Sequence, residues 1–253
     1  MILLLVGCLE SLLEAPYILT AGLPPVHSLS RTTEQDLLAA TDAGVYRIDG
    51  DGAPHLVSPA RADQLTAHGD RLYALTGQTL SWSPYPVPAD VAWASQPAPP
   101  GTRDLQAWCD DTVLLATDSG LSVWTPLTGA IAPLPWPGGG AEQVTLPVSA
   151  PCDTVLVAAG GRIEQRTASG TVILAAAEQV RALAVAHDGS IWAIHGSPPV
   201  LGIVEDGAMS VRARHLGDSR DLQFGGGGLW DPRNAYLASG AGRIDYAQVH
   251  TAP

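Results

Sequence analysis

The sequence predicts an all-β fold, a six-bladed β-propeller of four-stranded antiparallel blades closed by an N-terminal strand, and three observations predict it. Short segments beginning at Leu37, Leu72, Val113, Val155, Ile191 and Ala235 resemble one another, with starts 35, 41, 42, 36 and 44 residues apart. Each joins an apolar run, a polar or Gly-containing turn and a second run that tends to alternate, which is the pattern of a β-hairpin. A short strand-like stretch precedes each hairpin, and at 103 and again at 220 it reads RDLQ.

Taken in order, the hairpins read LLAATDAGVYRI, LYALTGQTLSW, VLLATDSGLSVW, VLVAAGGRIEQR, IWAIHGSPPVLGI and AYLASGAGRIDY. The preceding stretches are VHSLS at 26, DQLTA at 63, RDLQA at 103, QVTL at 143, VRALAV at 180 and RDLQF at 220. Turns such as His68-Gly69-Asp70, Asp110-Asp111 and His187-Asp188-Gly189 separate the two, because Gly tolerates positive φ and Asp bonds its own backbone. A fourth strand is drawn from PHLVS at 54, AIAPLP at 130, TVILA at 171 and MSVRAR at 209. Four-stranded sheets repeated radially are the propeller plan. The last repeat has no fourth strand before Pro253, while Tyr17-Ile18-Leu19-Thr20-Ala21 has no hairpin partner, so these two are expected to pair and remove an open edge. Ala175-Ala176-Ala177-Glu178-Gln179 is the best local helix former, but the repeat register assigns it to an inter-blade connection. VPADVAWASQPAPPG and PLPWPGGG read as Pro-rich connections carrying Trp93 and Trp136.

Composition bounds the class. With 253 residues, 46% hydrophobic and 15% charged, the chain is long enough for a sizeable core and too apolar for disorder. Its net charge of −12 and the absence of Lys argue against nucleic acid or anionic lipid as partners, since both need a cationic patch. Leu5-Val6-Gly7-Cys8 follows an apolar run and resembles the lipobox at which bacterial lipoproteins are cleaved and acylated on the Cys. The resemblance implies a lipid on Cys8, with residues 1–16 a truncated signal and linker and 17–253 the propeller. Only seven residues without Lys or Arg precede Cys8, so the true start is expected upstream. The alternative is that residues 1–13 form a short apolar strand or helix of the fold.

Thr41-Asp42-Ala43-Gly44-Val45-Tyr46 and Thr117-Asp118-Ser119-Gly120-Leu121 resemble the short repeats of two-component-regulator-type periplasmic propellers, and AHDGSIWAI at 186 resembles NHL and lyase-type propellers. These motifs describe how blades turn and pack, so the resemblance implies fold alone.

In such a blade the innermost strand begins near one opening of the channel. Asp63, Arg103, Asp104, Arg181, Arg220 and Asp221 are therefore expected to ring one mouth, where Arg forks and carboxylates can orient a polar ligand or a cation. The alternative role for these residues is ion pairing between blades. Propeller lactonases hold a divalent metal in the channel on oxygen ligands, but Asn234 is the one Asn here and Glu142 is the Glu nearest an inner strand. No metal and no cofactor is therefore expected, a divalent cation in the channel being the alternative. The seven His show no metal-binding spacing, and His68 and His187 sit in turns beside Asp70 and Asp188, where a structural role is expected. Gly217-Asp218-Ser219 matches a hydrolase opening by chance, and Gly225 to Gly228 reads as a flexible turn. No catalytic residue is assigned.

Cys109 and Cys152 occupy matching turns of consecutive repeats, which points to an inter-blade disulfide if their Cα atoms approach within ~7 Å. Trp82, Trp108, Trp124 and Trp192 are expected to pack between sheets. The functional expectation is an envelope-anchored, monomeric binding or assembly module that offers one face to another envelope protein or a small polar ligand and touches the membrane through its lipid alone. The alternative is a metal-dependent propeller hydrolase or lyase.

Overall fold

The computed structural model describes residues 16–88, 92–147, 152–214, 216–225 and 234–248. Cys8 and most of the Gly225 to Gly228 run lie outside the described residues. The secondary structure of the described residues is all strand, in six separate four-stranded antiparallel sheets. Blade 1 contains β2 (Val26–Arg31), β3 (Leu37–Thr41), β4 (Gly44–Ile48) and β5 (Pro54–Ser58). Blade 2 contains β6 (Gln64–His68), β7 (Arg71–Thr76), β8 (Thr79–Pro84) and β9 (Ala94–Pro97), and blade 3 contains β10 (Thr102–Ala107), β11 (Val113–Thr117), β12 (Gly120–Thr125) and β13 (Ala130–Pro133). Blade 4 is β14 (Gln143–Thr145), β15 (Thr154–Ala159), β16 (Arg162–Thr167) and β17 (Gly170–Ala176). Blade 5 is β18 (Ala182–Val185), β19 (Ile191–His195), β20 (Val200–Glu205) and β21 (Ala208–Ala213). Blade 6 takes β22 (Ser219–Phe224), β23 (Asn234–Ser239) and β24 (Arg243–Gln248) from the C-terminal end, and its outer strand is β1 (Tyr17–Ala21).

That last pairing is the predicted closure. Tyr17 faces Tyr246 and Ala21 faces Arg243 across an antiparallel ladder. The Tyr17 and Tyr246 rings stack with centroids 5.4 Å apart, and Leu23 N–H continues the ladder onto Gly242 O at 3.0 Å.

The core lies between the blades, in six apolar clusters, one at each seam. This arrangement explains why the first run of each hairpin is continuously apolar. Every residue of β3 (LLAAT) and β11 (VLLAT) is buried, because Leu37 and Ala39 pack toward blade 6 while Leu38 and Ala40 pack toward blade 2. A strand covered on both faces loses the period-2 alternation that a half-solvated strand shows. The aromatic side chains fill the wider parts of the seams: Trp124 meets Trp82 and Tyr73 edge-on at 5.6 and 5.9 Å, and Trp192 lies 5.8 Å from Phe224.

Turn chemistry fixes the hairpin tips. Thr41 Oγ donates to Gly44 O at 2.8 Å and accepts from Ala43 N–H, and Thr117 does the same around Gly120. Gly44 is held at φ +138°, and a Cβ there would meet Ser58 O at 2.1 Å, so the tip requires glycine.

Two sequence assignments need correction. Ala94–Pro97, read as part of a Pro-rich connection, is the outer strand of blade 2, and Ala175-Ala176 ends β17 rather than belonging to the connection after it. An outer strand bonds to one neighbour only, so it accommodates Pro97 at its end and needs little apolar signal.

Candidate functional site

The six innermost strands, β2, β6, β10, β14, β18 and β22, stand around the axis. Their repeat register superposes four levels of residues. The rim is His27, Asp63, Arg103, Glu142, Arg181 and Arg220. One residue deeper are Ser28, Gln64, Asp104, Gln143, Ala182 and Asp221, followed by an apolar level of Leu29, Leu65, Leu105, Val144, Leu183 and Leu222. Below it come Ser30, Thr66, Gln106, Thr145, Ala184 and Gln223. In blades 1, 3 and 6 the ladder to the second strand skips His27, Arg103 and Arg220, a bulge that re-aims the rim side chain.

Of the six residues expected at one mouth, the structure therefore leaves Asp63, Arg103, Arg181 and Arg220 at the rim and sets Asp104 and Asp221 one level inside. Along the rim, charges form a chain over blades 6, 1 and 2. Arg220 Nη1 lies 3.0 Å from His27 Nδ1, and His27 Nε2 lies 3.0 Å from Asp42. Arg61 joins Asp42 at 3.4 Å to Asp63 at 3.0 Å, while Asp218 closes the other end on Arg220 at 3.9 Å. The His27 hydrogen bond, followed by the charges of His27, Arg61 and Arg220, holds Asp42 below the usual carboxylate range. Arg103 pairs instead with Asp118 of its own blade at 2.6 Å, and Arg181 makes no ion pair among the described residues. Most of these side chains are solvated, so the rim contributes orientation and potential more than stability.

The level below the rim is different in kind. Asp104 Oδ1 accepts from Leu105 N–H at 2.8 Å, and its Oδ2 accepts from Val144 N–H of blade 4 at 2.8 Å. Asp221 repeats this with Leu222 N–H at 2.7 Å and Leu29 N–H of blade 1 at 2.6 Å. Ser28 makes the neutral version of the same inter-blade bond to Leu65 N–H at 3.2 Å, and two levels deeper Thr66 receives Ala107 N–H at 3.1 Å. The recurrent RDLQ thus has a structural job: its Asp satisfies the inner-edge N–H of the next blade. Burial pushes Asp104 up to about 7, against the pull of the Val144 and Leu105 N–H groups, and the charge of Asp221 adds to the rise. Burial raises Asp221 as well, opposed by the N–H groups of Leu29 and Leu222 and by Ser28.

These levels enclose an axial cavity of about 190 Å³, lined by residues of all six inner strands. Gln64, Gln106, Gln143 and Gln223 contribute amides to its wall, which the sequence reading overlooked. Their signal was present as a recurring Gln in QLT, LQA, QVT and LQF. Among the described residues no group of three potential metal-binding side chains gathers anywhere.

A second cavity, about 310 Å³, lies at the seam of blades 3 and 4 beside Arg103, Asp118, Glu142 and Arg162. Arg166 also lines it and pairs with buried Glu164 at 2.8 Å while donating to Gly139 O at 2.9 Å. At the other end of the same seam the sulfurs of Cys109 and Cys152 are bonded, with Cα atoms 5.8 Å apart. Trp108 and Trp136 meet edge-on beside this seam at 5.9 Å, and Trp93 donates to Ser58 at 3.0 Å, so both connection Trp residues serve local packing. Asp188 binds Ser190 rather than His187, and Ser219 of the Gly217-Asp218-Ser219 match is fully buried and donates to Leu216 O.

No protein-family model matches the chain, and no curated protein matches it. Solved structures do match in shape. The extracellular domain of a candidate one-component system from B. thetaiotaomicron superposes with a TM-score of 0.60 at 13% identity, covering 90% of this chain and 33% of that one. This chain thus spans about a third of that domain. The WD40 β-propeller domain of Doa1 gives a TM-score of 0.63 at 9% identity over 95% of this chain and 97% of that one. A gluconolactonase candidate gives 0.66 at 12% identity over 94% and 93%. At such identities the likeness establishes the six-bladed propeller fold and nothing finer.

Proposed function

We propose that this propeller is a binding module of the bacterial cell envelope, anchored through an acylated Cys8, which receives a small polar ligand or an envelope protein at the charged mouth of its channel. The observation that carries the reading is the mouth itself: an ion-paired rim of Arg220, His27, Asp42, Arg61 and Asp63 opening onto a polar axial cavity. Such a concave site with convergent polar groups on rigid strands orients ligands well. The inter-blade disulfide supports an oxidising compartment, and the likeness to the extracellular domain of a candidate one-component system fits the same location.

A thermal-shift panel on the full chain, with polar metabolites beside calcium, magnesium, manganese and zinc, tests it, since a native-state ligand raises Tm by mass action. Ligand-dependent rises that vanish in Arg103→Glu and Arg220→Glu variants are expected. A panel without any rise would count against the module. Mass spectrometry after palmitate labelling reads the anchor, and an unmodified Cys8 would remove it. A second reading, a lactonase-like hydrolase or lyase, draws on Asp104, a buried channel carboxyl raised to about 7 and so matched to proton transfer. A metal-dependent rise together with lactone or ester turnover would favour it.

A further inference from the structure

Asp104 and Asp221 belong to blades 3 and 6, which stand opposite one another in a ring of six. They share the same tetrapeptide, the same pair of backbone clasps and a Gln two residues on, so the cavity wall carries a pseudo-twofold pair of anionic sites. Each carboxylate oxygen receives one N–H, Asp221 also meets the Ser28 hydroxyl, and both carboxylates keep lone-pair capacity for another donor. The wall holds no Arg, Lys or His, so nothing on it neutralises the two carboxylates. Gln64, Gln143 and Gln223 also line the cavity, and the side-chain amide of none of them has a hydrogen-bond partner among the described residues.

We propose that the axial cavity binds a small aliphatic diamine, one ammonium group at Asp104 and the other at Asp221, with the glutamine carbonyls accepting the remaining N–H donors. The inference rests on the binding-module reading and names its ligand class. An ammonium brings three donors and no acceptor, which matches a wall of carboxylates and amide oxygens. Two opposed anionic sites fit a ligand with a charge at each end better than a point charge. A divalent metal needs several oxygens drawn into one shell, whereas the clasps tie each carboxylate to its own seam.

The test uses isothermal titration and thermal shift of the full chain with 1,4-diaminobutane, butylamine, tetramethylammonium and calcium chloride at matched ionic strength. The diamine is expected to saturate one site at pH 8, at least tenfold tighter than butylamine, and to weaken about tenfold at pH 6. Asp104 and Asp221 are the titratable groups on the cavity wall; His27, Asp63, Arg103, Glu142, Arg181 and Arg220 stand on the rim above, and Arg31 and His68 end inner strands below. Asp104→Asn or Asp221→Asn should bring diamine and monoamine affinities together. Because those changes also touch the clasps, Gln64→Leu with Gln143→Leu provides a variant that leaves the clasps alone and should weaken diamine binding at least fivefold. No saturable diamine binding to the native chain, equal affinity for butylamine, or tighter calcium binding would each overturn the proposal. If the diamine fails while another ligand of the panel binds and depends on the rim, the ligand class falls and the module stands.

Discussion

Removing the bridge between Cys109 and Cys152 is expected to cost stability through the unfolded chain rather than the native one. The two cysteines lie 43 residues apart, and releasing a loop of that length returns about 4 kcal/mol of conformational entropy to the denatured ensemble on the chain-entropy model. The native seam has other restraints. Asp104 clasps Val144 N–H, Trp108 packs on Trp136, and Leu114, Ala116, Val155 and Val157 share one buried cluster, so blades 3 and 4 should stay in register. The assay is urea unfolding of the Cys109→Ser/Cys152→Ser double variant against the oxidised parent, both carrying Cys8→Ser to prevent thiol exchange. The double variant should lose roughly 3 to 5 kcal/mol, with a larger denaturant slope because its unfolded chain is less compact. Each kcal/mol at this chain length is worth about 2 to 4 °C, so Tm should fall by about 10 °C. A loss below about 1 kcal/mol would refute the entropic account. A loss accompanied by a changed near-UV spectrum of the Trp residues would show that the bridge shapes the native seam instead.

The raised carboxyl of Asp104 predicts a pH dependence with a definite sign. Between its ordinary 3.8 and about 7 the folded state holds a proton that the unfolded state has released, so stability is full at low pH and falls as pH rises through that window. The limiting penalty is roughly 4 kcal/mol, and raised Asp221 and Asp245 push the same way. Urea midpoints at pH 5 and pH 8 should therefore decline, less steeply in Asp104→Asn; a midpoint that rises with pH would contradict the buried-carboxyl reading. For closure, trimming residues 1–23 should cost roughly 3 kcal/mol more than trimming 1–14, because β1 supplies the fourth strand of blade 6, and its ladder to β24 is worth about 1 kcal/mol per bond. Equal stability of the two truncations would show that the ring closes without β1.

What was legible in the sequence followed from where each strand sits in the wedge of a blade. Second strands such as LLAAT and VLLAT are covered on both faces by neighbouring blades and so wrote continuous apolar runs, and the Thr-Asp-x-Gly tips wrote their turn because Gly44 and Gly120 both sit at φ +138°, with Gly44 also pressed against Ser58 O. The outer strand ASQP wrote almost nothing: it bonds to β8 alone and three of its four residues are exposed, so neither propensity nor period marks it. The site was half legible for a related reason. Register alone brought Arg103, Asp104, Arg220 and Asp221 to the axis, but a residue's depth along an inner strand depends on a bulge that sequence does not announce. Those bulges turn Arg103 and Arg220 outward to the rim and leave the adjacent Asp to reach the next blade. In this fold a one-residue irregularity separates a charge that greets solvent from a charge that staples two blades and faces the cavity, and so the repeat of RDLQ encodes both layers of the channel at once.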